Sequence, residues 1–172
     1  VVCSLWPRPT LPEQHRISDD RLPVYSIIVA LYRGAASVAP LMRALDALDY
    51  PREKLDIILA IEPDDLQTRA AIARLGPMPH VRVLIVPAIL PKTKPKALNC
   101  ALPFAHGRFV AVFDAEDRPD PWQLRAALDA FHLHGTDTAC AQASLRIDNL
   151  THSLLSRMFA IEYAGQFDAF LP

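Results

Sequence analysis

Residues 109–121 carry the clearest pattern in this chain and read FVAVFDAEDRPDP. The first five are apolar and continuous rather than alternating, which is typical of a strand buried on both faces of a parallel sheet. Four carboxylates follow within seven residues: Asp114, Glu116, Asp117 and Asp120. So many acids at a strand end predict a divalent-cation site, at the sheet edge where open α/β folds bind ligands. The alternative is an acidic turn in which Asp120 caps the next helix and Pro121 occupies its first position.

The rest of the chain alternates between apolar runs of strand length and amphipathic stretches of helix length. Besides 109–113, strands are predicted at 24–31, 55–62 and 81–86, with a weaker candidate at 138–145. Helices are predicted from Ser37 to Pro51 and at 66–75, 97–105, 122–134 and 153–170. The last helix is expected to bury one face, which carries Leu154, Leu155, Met158, Ile161 and Phe167. This alternation predicts a mainly parallel sheet with right-handed crossovers.

The first 22 residues differ in composition from the rest. Three prolines fall within the first twelve positions, and a polar tract follows. Such a segment buries little apolar surface, so residues 1–22 are predicted to be a linker or surface arm, with Trp6 able to dock on the domain. Residues 23–172 are predicted to form the folded portion, either one domain or a piece of a larger one.

Composition excludes several classes of protein. The formal charge of -1 gives no overall attraction to nucleic acid or to an anionic membrane surface, so charged recognition must be local. The cysteines are odd in number and far apart, which favours reduced thiols over a disulfide framework: Cys3, Cys100 and Cys140. No stretch approaches the roughly 20 apolar residues of a membrane span.

Polar side chains collect where the predicted strands end. Tyr32 and Arg33 follow the first strand, three acids follow the second, and the lysines of KTKPK, residues 92–96, follow the third. All five glycines are isolated, so neither a P-loop nor a Gly-x-Gly-x-x-Gly phosphate cradle is present. A diphosphate at this edge would have to be held through a metal ion bridged to carboxylates.

Four of these motifs together resemble family 2 glycosyltransferases of the GT-A fold, especially the membrane-associated, cellulose-synthase-like branch. They are the first strand, residues 26–31; the acids after the second strand; KPKALN, residues 94–99; and FDAED, residues 113–117. The resemblance implies a Rossmann-like three-layer α/β sandwich. It also implies inverting transfer of a sugar from a nucleotide diphosphate donor, usually a UDP-sugar, to a saccharide or lipid-linked acceptor. Such polysaccharide-forming enzymes require Mg or Mn and act on the cytoplasmic side of the membrane, with any membrane spans here outside this chain.

The resemblance also implies roles for individual residues. Asp114 and Glu116 match the Asp-x-Asp pair that holds the metal, although Glu116 replaces the usual second Asp. Lys94 matches the lysine near the donor, in a motif that ends at Asn99. Glu62 or Asp65 would meet the nucleotide base, with EPDD at residues 62–65 in place of the usual Asp-Asp-Gly. Tyr32 could stack on that base.

The family's later motifs have no match in this chain. They are the acidic motif that supplies the catalytic base and the Gln-x-x-Arg-Trp motif of processive members. The chain is therefore expected to be the donor-binding part, truncated at its C-terminus and inactive alone, with the base beyond Pro172. The rival functions are a sugar nucleotidyltransferase, which would need a Gly-rich loop after the first strand, and a non-catalytic nucleotide-binding or interaction module.

Overall fold

The computed structural model describes residues 17–135, 138–143 and 153–165. The strands are β1 (Tyr25–Leu31), β2 (Leu55–Ile61), β3 (Val81–Ile85) and β4 (Phe109–Phe113). The helices are α1 (Val38–Asp46), α2 (Leu66–Ala73), α3 (Lys94–Ala101), α4 (Gln123–His134) and α5 (Leu154–Gly165). The described residues divide after Arg125 into two compact units. The sheet, α1, α2 and α3 all belong to the first.

The four strands form one parallel sheet in the order β3-β2-β1-β4. The register pairs Val29 of β1 with Leu59 on one side and with Phe113 on the other. Because every pairing is parallel, the carboxyl ends of all four strands lie at the same edge of the sheet. The predicted parallel α/β architecture is therefore confirmed.

The core lies on both faces of the two central strands. All seven residues of β2 are buried, as expected for a strand with helices on both sides of the sheet. On one face, Ile28 and Ile58 pack against Ala97 and Ala101 of α3. Small residues on α3 let that helix approach the sheet closely, which places its first turn beside the strand ends.

Strand positions agree with the predictions to within one residue, but α3 does not. The predicted helix began at Ala97, whereas α3 begins at Lys94 and has Pro95 in its first turn. Proline fits there because the first backbone N–H groups of a helix have no partner within it. A 3-10 turn, Leu102–Phe104, follows α3 in place of the predicted helix end.

Three predictions for the last third of the chain need correction or restriction. Residues 138–143 of the weak strand candidate form no strand, and 144–145 lie outside the described residues. The side chains predicted to be buried on α5 are 59% to 74% exposed: Leu154, Leu155, Met158 and Ile161. Phe167 lies outside the described residues. Periodicity finds the apolar positions of a helix, but it does not supply the element that would cover them.

Residues 17–22 of the predicted arm belong to the first unit, within which their backbone carbonyl oxygens accept hydrogen bonds. The Lys54 ammonium donates to the carbonyl oxygens of Asp19, Asp20 and Leu22 at 2.6 to 2.8 Å. Arg125 donates to the carbonyl oxygen of Ile17 at 3.0 Å. Trp6 and the rest of residues 1–16 lie outside the described residues. In the described ranges, no helix has the length and apolar character needed to cross a membrane.

Candidate functional site

The candidate site is the edge of the sheet at which the strands end, called here the carboxyl rim. It comprises the residues that follow the strands and the lysines at the start of α3: Tyr32, Arg33, Glu62, Asp64, Asp65, Lys92, Lys94, Lys96, Asp114 and Glu116. Parallel pairing brings the acids after β2 and β4 to the same edge, although 52 residues separate Glu62 from Asp114 in the sequence.

Each lysine of residues 92–96 pairs with a different acid of the carboxyl rim. Lys92 lies 2.6 Å from Asp64, and Lys96 lies 2.6 Å from Glu62, both of which follow β2. Lys94 contacts Asp114, which follows β4. The segment thus joins the ends of two strands that are not neighbours in the sheet.

In the Lys96–Glu62 pair the acid is buried and the lysine is half-buried, with side chains 4% and 16% exposed. The Lys96 ammonium also donates to the carbonyl oxygens of Ile89 at 2.9 Å and Pro87 at 3.3 Å, so all three of its protons have acceptors. Glu62 is less well satisfied. Its Oε2 is buried without a hydrogen-bond partner within the described ranges, so this carboxylate can still accept a hydrogen bond.

The other two lysine pairs are open to solvent. The Lys94 and Asp114 side chains are 43% and 54% exposed. The hydrogen bond from Lys92 holds the pKa of Asp64 below its usual value, and the same bond raises the pKa of Lys92. Exposed pairs of this kind contribute little to stability. They keep charged groups in place at the surface without committing them to the fold.

Asp65 is engaged within the chain through both carboxylate oxygens. One accepts the backbone N–H of Arg33 at 2.5 Å, and the other accepts the backbone N–H of Thr68 at 3.1 Å. Burial would raise the pKa of Asp65, but the hydrogen bonds from Thr68 and Arg33 outweigh it and hold the pKa below its ordinary value. Asp65 is therefore the N-cap of α2 as well as a contact to the loop after β1.

Tyr32 presents an aromatic ring at the carboxyl rim and is 44% exposed. The Lys92 ammonium lies 5.7 Å from its ring centroid, and the Arg33 guanidinium carbon lies 5.1 Å from it. Both distances are in the range of cation–π contacts. A planar group that stacks here would therefore meet an aromatic surface bordered by positive charge.

Asp114 and Glu116 follow β4 and are both exposed. Asp117 folds back onto the turn, where its carboxylate accepts the Asp114 N–H at 2.7 Å. Among the described residues there is no group of three or more His, Cys, Asp or Glu side chains that could hold a metal ion. Mg²⁺ is commonly held by one or two carboxylates together with substrate phosphates, so two exposed acids fit such an ion.

The acidic-turn alternative is also partly right. Asp120 accepts the N–H of Trp122 at 2.9 Å and so orders the approach to α4. Pro121 precedes that helix and does not begin it, since α4 starts at Gln123. Asp120 thus organises the turn, which leaves Asp114 and Glu116 as the exposed acids directly after β4.

Asn99 is the predicted site residue that the fold does not bring to the carboxyl rim. It is exposed on α3, five residues after Lys94 and so about 7.5 Å farther along the helix axis. That axis leads away from the rim, because Phe104 beyond its end accepts a hydrogen bond from Arg82 near the start of β3.

Sequence patterns do not identify two contributors to the site. The sequence predicts Lys96 only as one of the lysines after the third strand, yet it is half-buried and pairs with the buried Glu62. Thr68 carries no predicted role, although it is fully buried and its hydroxyl accepts the Gly34 N–H at 3.1 Å. The available signal for Thr68 was its place in the first turn of a helix that follows an acid-rich strand end.

Comparison with known proteins agrees with this architecture. The family model described as "Glycosyltransferase like family 2" matches residues 23–168. No curated protein sequence is significantly similar to the chain. Among solved structures, the mannosyltransferase PcManGT from Pyrobaculum calidifontis, in complex with GDP-Man and Mn2+, is 25% identical with a TM-score of 0.56. That match covers 69% of this chain and 35% of the mannosyltransferase.

S. aureus TarS is a second similar structure. Its 1-349 fragment is 18% identical, with a TM-score of 0.57 over 76% of this chain and 44% of that one. The fragment has also been solved in complex with UDP-GlcNAc. The chain thus spans less than half the length of either relative, both of which have the predicted GT-A fold. With the family model matching most of its length, the chain belongs to glycosyltransferase family 2.

Proposed function

We propose that this chain is the donor-binding part of an inverting, metal-dependent glycosyltransferase. Its donor is a nucleotide diphosphate sugar, which we take to be a UDP-sugar, and its acceptor is a saccharide or lipid-linked saccharide. The observation that carries the proposal is the meeting of three lysines, three exposed acids and an exposed aromatic ring at one sheet edge. Phosphate, metal and base each find a chemically suitable partner there.

Asp114 and Glu116 are the proposed ligands of the divalent cation, Mg or Mn. Such an ion, when bound, neutralises negative charge on the departing diphosphate. Lys94 contacts Asp114, so a diphosphate bound at the proposed metal ligands would lie within reach of its ammonium group. We therefore assign Lys94 to the donor phosphates.

Glu62 is a better candidate than Asp65 for the contact with the nucleotide base. Both oxygens of Asp65 accept hydrogen bonds from the chain's own backbone. Glu62 keeps one buried oxygen without a partner among the described residues, and a buried acceptor of this kind is costly unless a ligand or water satisfies it. Tyr32 is the proposed stacking surface for the base, whereas Asn99 has no role assigned by its position.

The wider setting follows the family resemblance. We place the chain in the cellulose-synthase-like branch, in a polysaccharide-forming protein that acts at the cytoplasmic face of a membrane. PcManGT was solved with GDP-Man and TarS with UDP-GlcNAc. A GDP-sugar is therefore the donor to be tested against the UDP-sugar.

Calorimetry tests the donor and the metal together. The purified chain should bind UDP more tightly than GDP when Mn2+ is present, and a chelator should abolish that binding. Asp114→Asn should lose it as well, because one of the two proposed metal ligands is gone. Asp46→Asn, which removes an equally exposed charge on α1, is the matched control and should bind as the unchanged chain does. Equal binding with chelator present would sink the metal-dependent site.

We further propose that the general base lies outside this chain. Among the acids of the carboxyl rim, Asp114 and Glu116 are assigned to the metal, Glu62 to the nucleotide base and Asp65 to the loop after β1. No other part of the chain matches the family motif that supplies the general base. Loss of a general base typically costs about a hundredfold to ten-thousandfold in rate. An assay with radiolabelled UDP-sugar should detect no transfer by the isolated chain above a metal-free control. Robust transfer would show that one of its own acids serves as the base.

A further inference from the structure

We propose that Asp65 and Thr68 are positioning residues that hold the loop after β1, residues 32–34, so that Tyr32 faces the donor base. The two residues are called here the α2 bracket. The proposal rests on the proposed function only for what Tyr32 contacts. The effect of the bracket on the loop is a property of the chain alone.

The α2 bracket holds the loop by two consecutive backbone groups. The Asp65 carboxylate accepts the N–H of Arg33 at 2.5 Å, and the Thr68 hydroxyl accepts the N–H of Gly34 at 3.1 Å. The same Asp65 carboxylate caps α2 through the N–H of Thr68. The loop is thereby fixed to the first turn of a helix that lies 32 to 34 residues away in the sequence.

The loop needs such support because of the backbone at Arg33. Its φ is 55°, and Arg33 is the non-glycine residue with positive φ in the described part of the chain. That left-handed conformation is unfavourable for residues with a Cβ and persists where surrounding contacts impose it. The neighbouring Gly34 does not take the left-handed position. The strain therefore falls on an arginine whose own N–H donates to Asp65 and whose neighbour Gly34 donates to Thr68.

Burial separates the bracket from the residues it holds. Asp65 and Thr68 are both buried, whereas Tyr32 and Arg33 are exposed. The Arg33 guanidinium lies over the Tyr32 ring, so the backbone turn at Arg33 fixes both a ring and a cation at the carboxyl rim. A buried device that imposes a strained turn on an exposed aromatic residue is expected at a ligand site rather than in a simple connection.

Nuclear magnetic resonance tests the bracket without any nucleotide. In proton–nitrogen spectra, the Arg33 amide should lie far downfield because its acceptor is a carboxylate at short distance. The shift should move with pH as Asp65 is protonated, and Asp65→Asn should abolish that dependence. An Arg33 amide that lacks the downfield shift, or that does not respond as the pH falls below the ordinary aspartate range, would overturn the proposal.

Calorimetry with UDP and Mn2+ as the probe then tests the link between the bracket and the donor, first in single variants. Asp65→Asn keeps a good N-cap for α2 but sets an amide N–H₂ against a backbone donor. It should weaken UDP binding by about tenfold to a hundredfold, the range for a lost hydrogen bond to a charged group. Thr68→Val should weaken it by about twofold to fivefold. That second variant serves if Asp65→Asn does not fold.

Rescue distinguishes positioning from direct contact. Glycine adopts positive φ readily, so a chain that already carries Arg33→Gly should not need the bracket. Adding Asp65→Asn to that chain should lower its UDP affinity by less than about twofold. On Arg33→Ala, the matched control that lacks the guanidinium but keeps a Cβ, the full loss should return. An equal loss on both backgrounds would mean that Asp65 touches the nucleotide itself and would overturn the bracket. If the unchanged chain binds neither UDP nor GDP, the proposed function fails and the amide titration alone decides the bracket.

Discussion

The two edges of the sheet use the same kinds of side chain in opposite ways. At the amino edge, Ser26, Asp56, Arg82, His106 and Gly107 form what we call the amino-edge clasp. The Asp56 carboxylate accepts from the Ser26 hydroxyl at 2.7 Å, from Arg82 at 2.6 and 2.9 Å, and from the His106 N–H at 3.0 Å. At the carboxyl rim, acids and lysines are mostly exposed, and Glu62 keeps an oxygen free among the described residues.

The difference lies in how completely each group of charges is satisfied. In the clasp every acceptor is occupied by the chain, so the charges hold the fold together and nothing is left for a ligand. Burial alone would raise the pKa of Asp56, but hydrogen bonds from Ser26, His106 and Arg82 hold it below its ordinary value. At the carboxyl rim the charged groups are not all hydrogen-bonded within the described chain, as is expected of groups that bind a ligand. Substitutions at the two edges should therefore separate stability from binding.

The largest effect on stability is expected at Lys96, which does not follow the contrast between the two edges. This residue belongs to the carboxyl rim, but it is half-buried and pairs with the buried Glu62. Lys96→Ala leaves that carboxylate buried and unpaired, so we expect about 3 to 5 kcal/mol lower stability in urea unfolding.

Its control is Lys96→Met combined with Glu62→Gln, which removes both charges and keeps most of the volume. This pair should recover much of the lost stability. A Lys96→Ala chain as stable as the unchanged one would place Lys96 with the exposed lysines instead.

Gly107→Ala tests the clasp by close approach. A Cβ at this position would lie 2.3 Å from the backbone nitrogen of Ser26, and neither backbone can move without disturbing the β1–β4 pairing. We expect a loss of about 3 kcal/mol in urea unfolding, as for overpacked cores. Gly165→Ala, where a Cβ meets open space, should cost nothing measurable. UDP affinity per folded molecule should be unchanged in both.

Asp56→Asn sharpens the electrostatic side of the comparison and should cost about 2 kcal/mol near neutral pH, the range for hydrogen bonds to a charged group. The folded pKa of Asp56 lies below the unfolded value. Its contribution is therefore present above an unfolded pKa of about 3.9 and disappears as pH falls through the folded pKa. Urea curves of the two chains should converge in acid. A constant gap at every pH would assign the loss to packing rather than to charge.

Lys94→Ala should give the smallest effect and should act on binding alone. We expect about tenfold weaker UDP–Mn2+ binding by calorimetry, within the 1 to 3 kcal/mol range for charged hydrogen bonds, with the urea midpoint unchanged. Lys92→Ala is the matched control, since it removes an equal charge two residues away and should change affinity much less. Equal losses at both positions would indicate a general positive field instead of a defined phosphate contact.

The carboxyl rim could be predicted from sequence because its residues follow the strand ends directly. FVAVF at 109–113 and the acids after it are contiguous, and parallel strands must end at one edge. The clasp could not be predicted, because Asp56 and Ser26 sit inside apolar strands and pair across 30 residues. Local patterns likewise could not predict that Lys96 would pair with a buried Glu62. They also could not predict that Asp65, and not Glu62, would accept backbone N–H groups. Those outcomes depend on distant partners that only the folded chain brings together.

In the sheet formed by the described residues, β4 lies at one end of the strand order, which has a consequence for handling the protein. On one face β4 carries Val110 and Val112, which are 39% and 48% exposed. An edge strand with apolar side chains is a template for pairing with another chain, and natural sheets usually blunt such edges with lysine or proline. Light scattering of the isolated chain should therefore show self-association that grows with concentration. Val112→Lys should suppress that growth. Light scattering would then report on pairing through β4 in the sheet of the described residues.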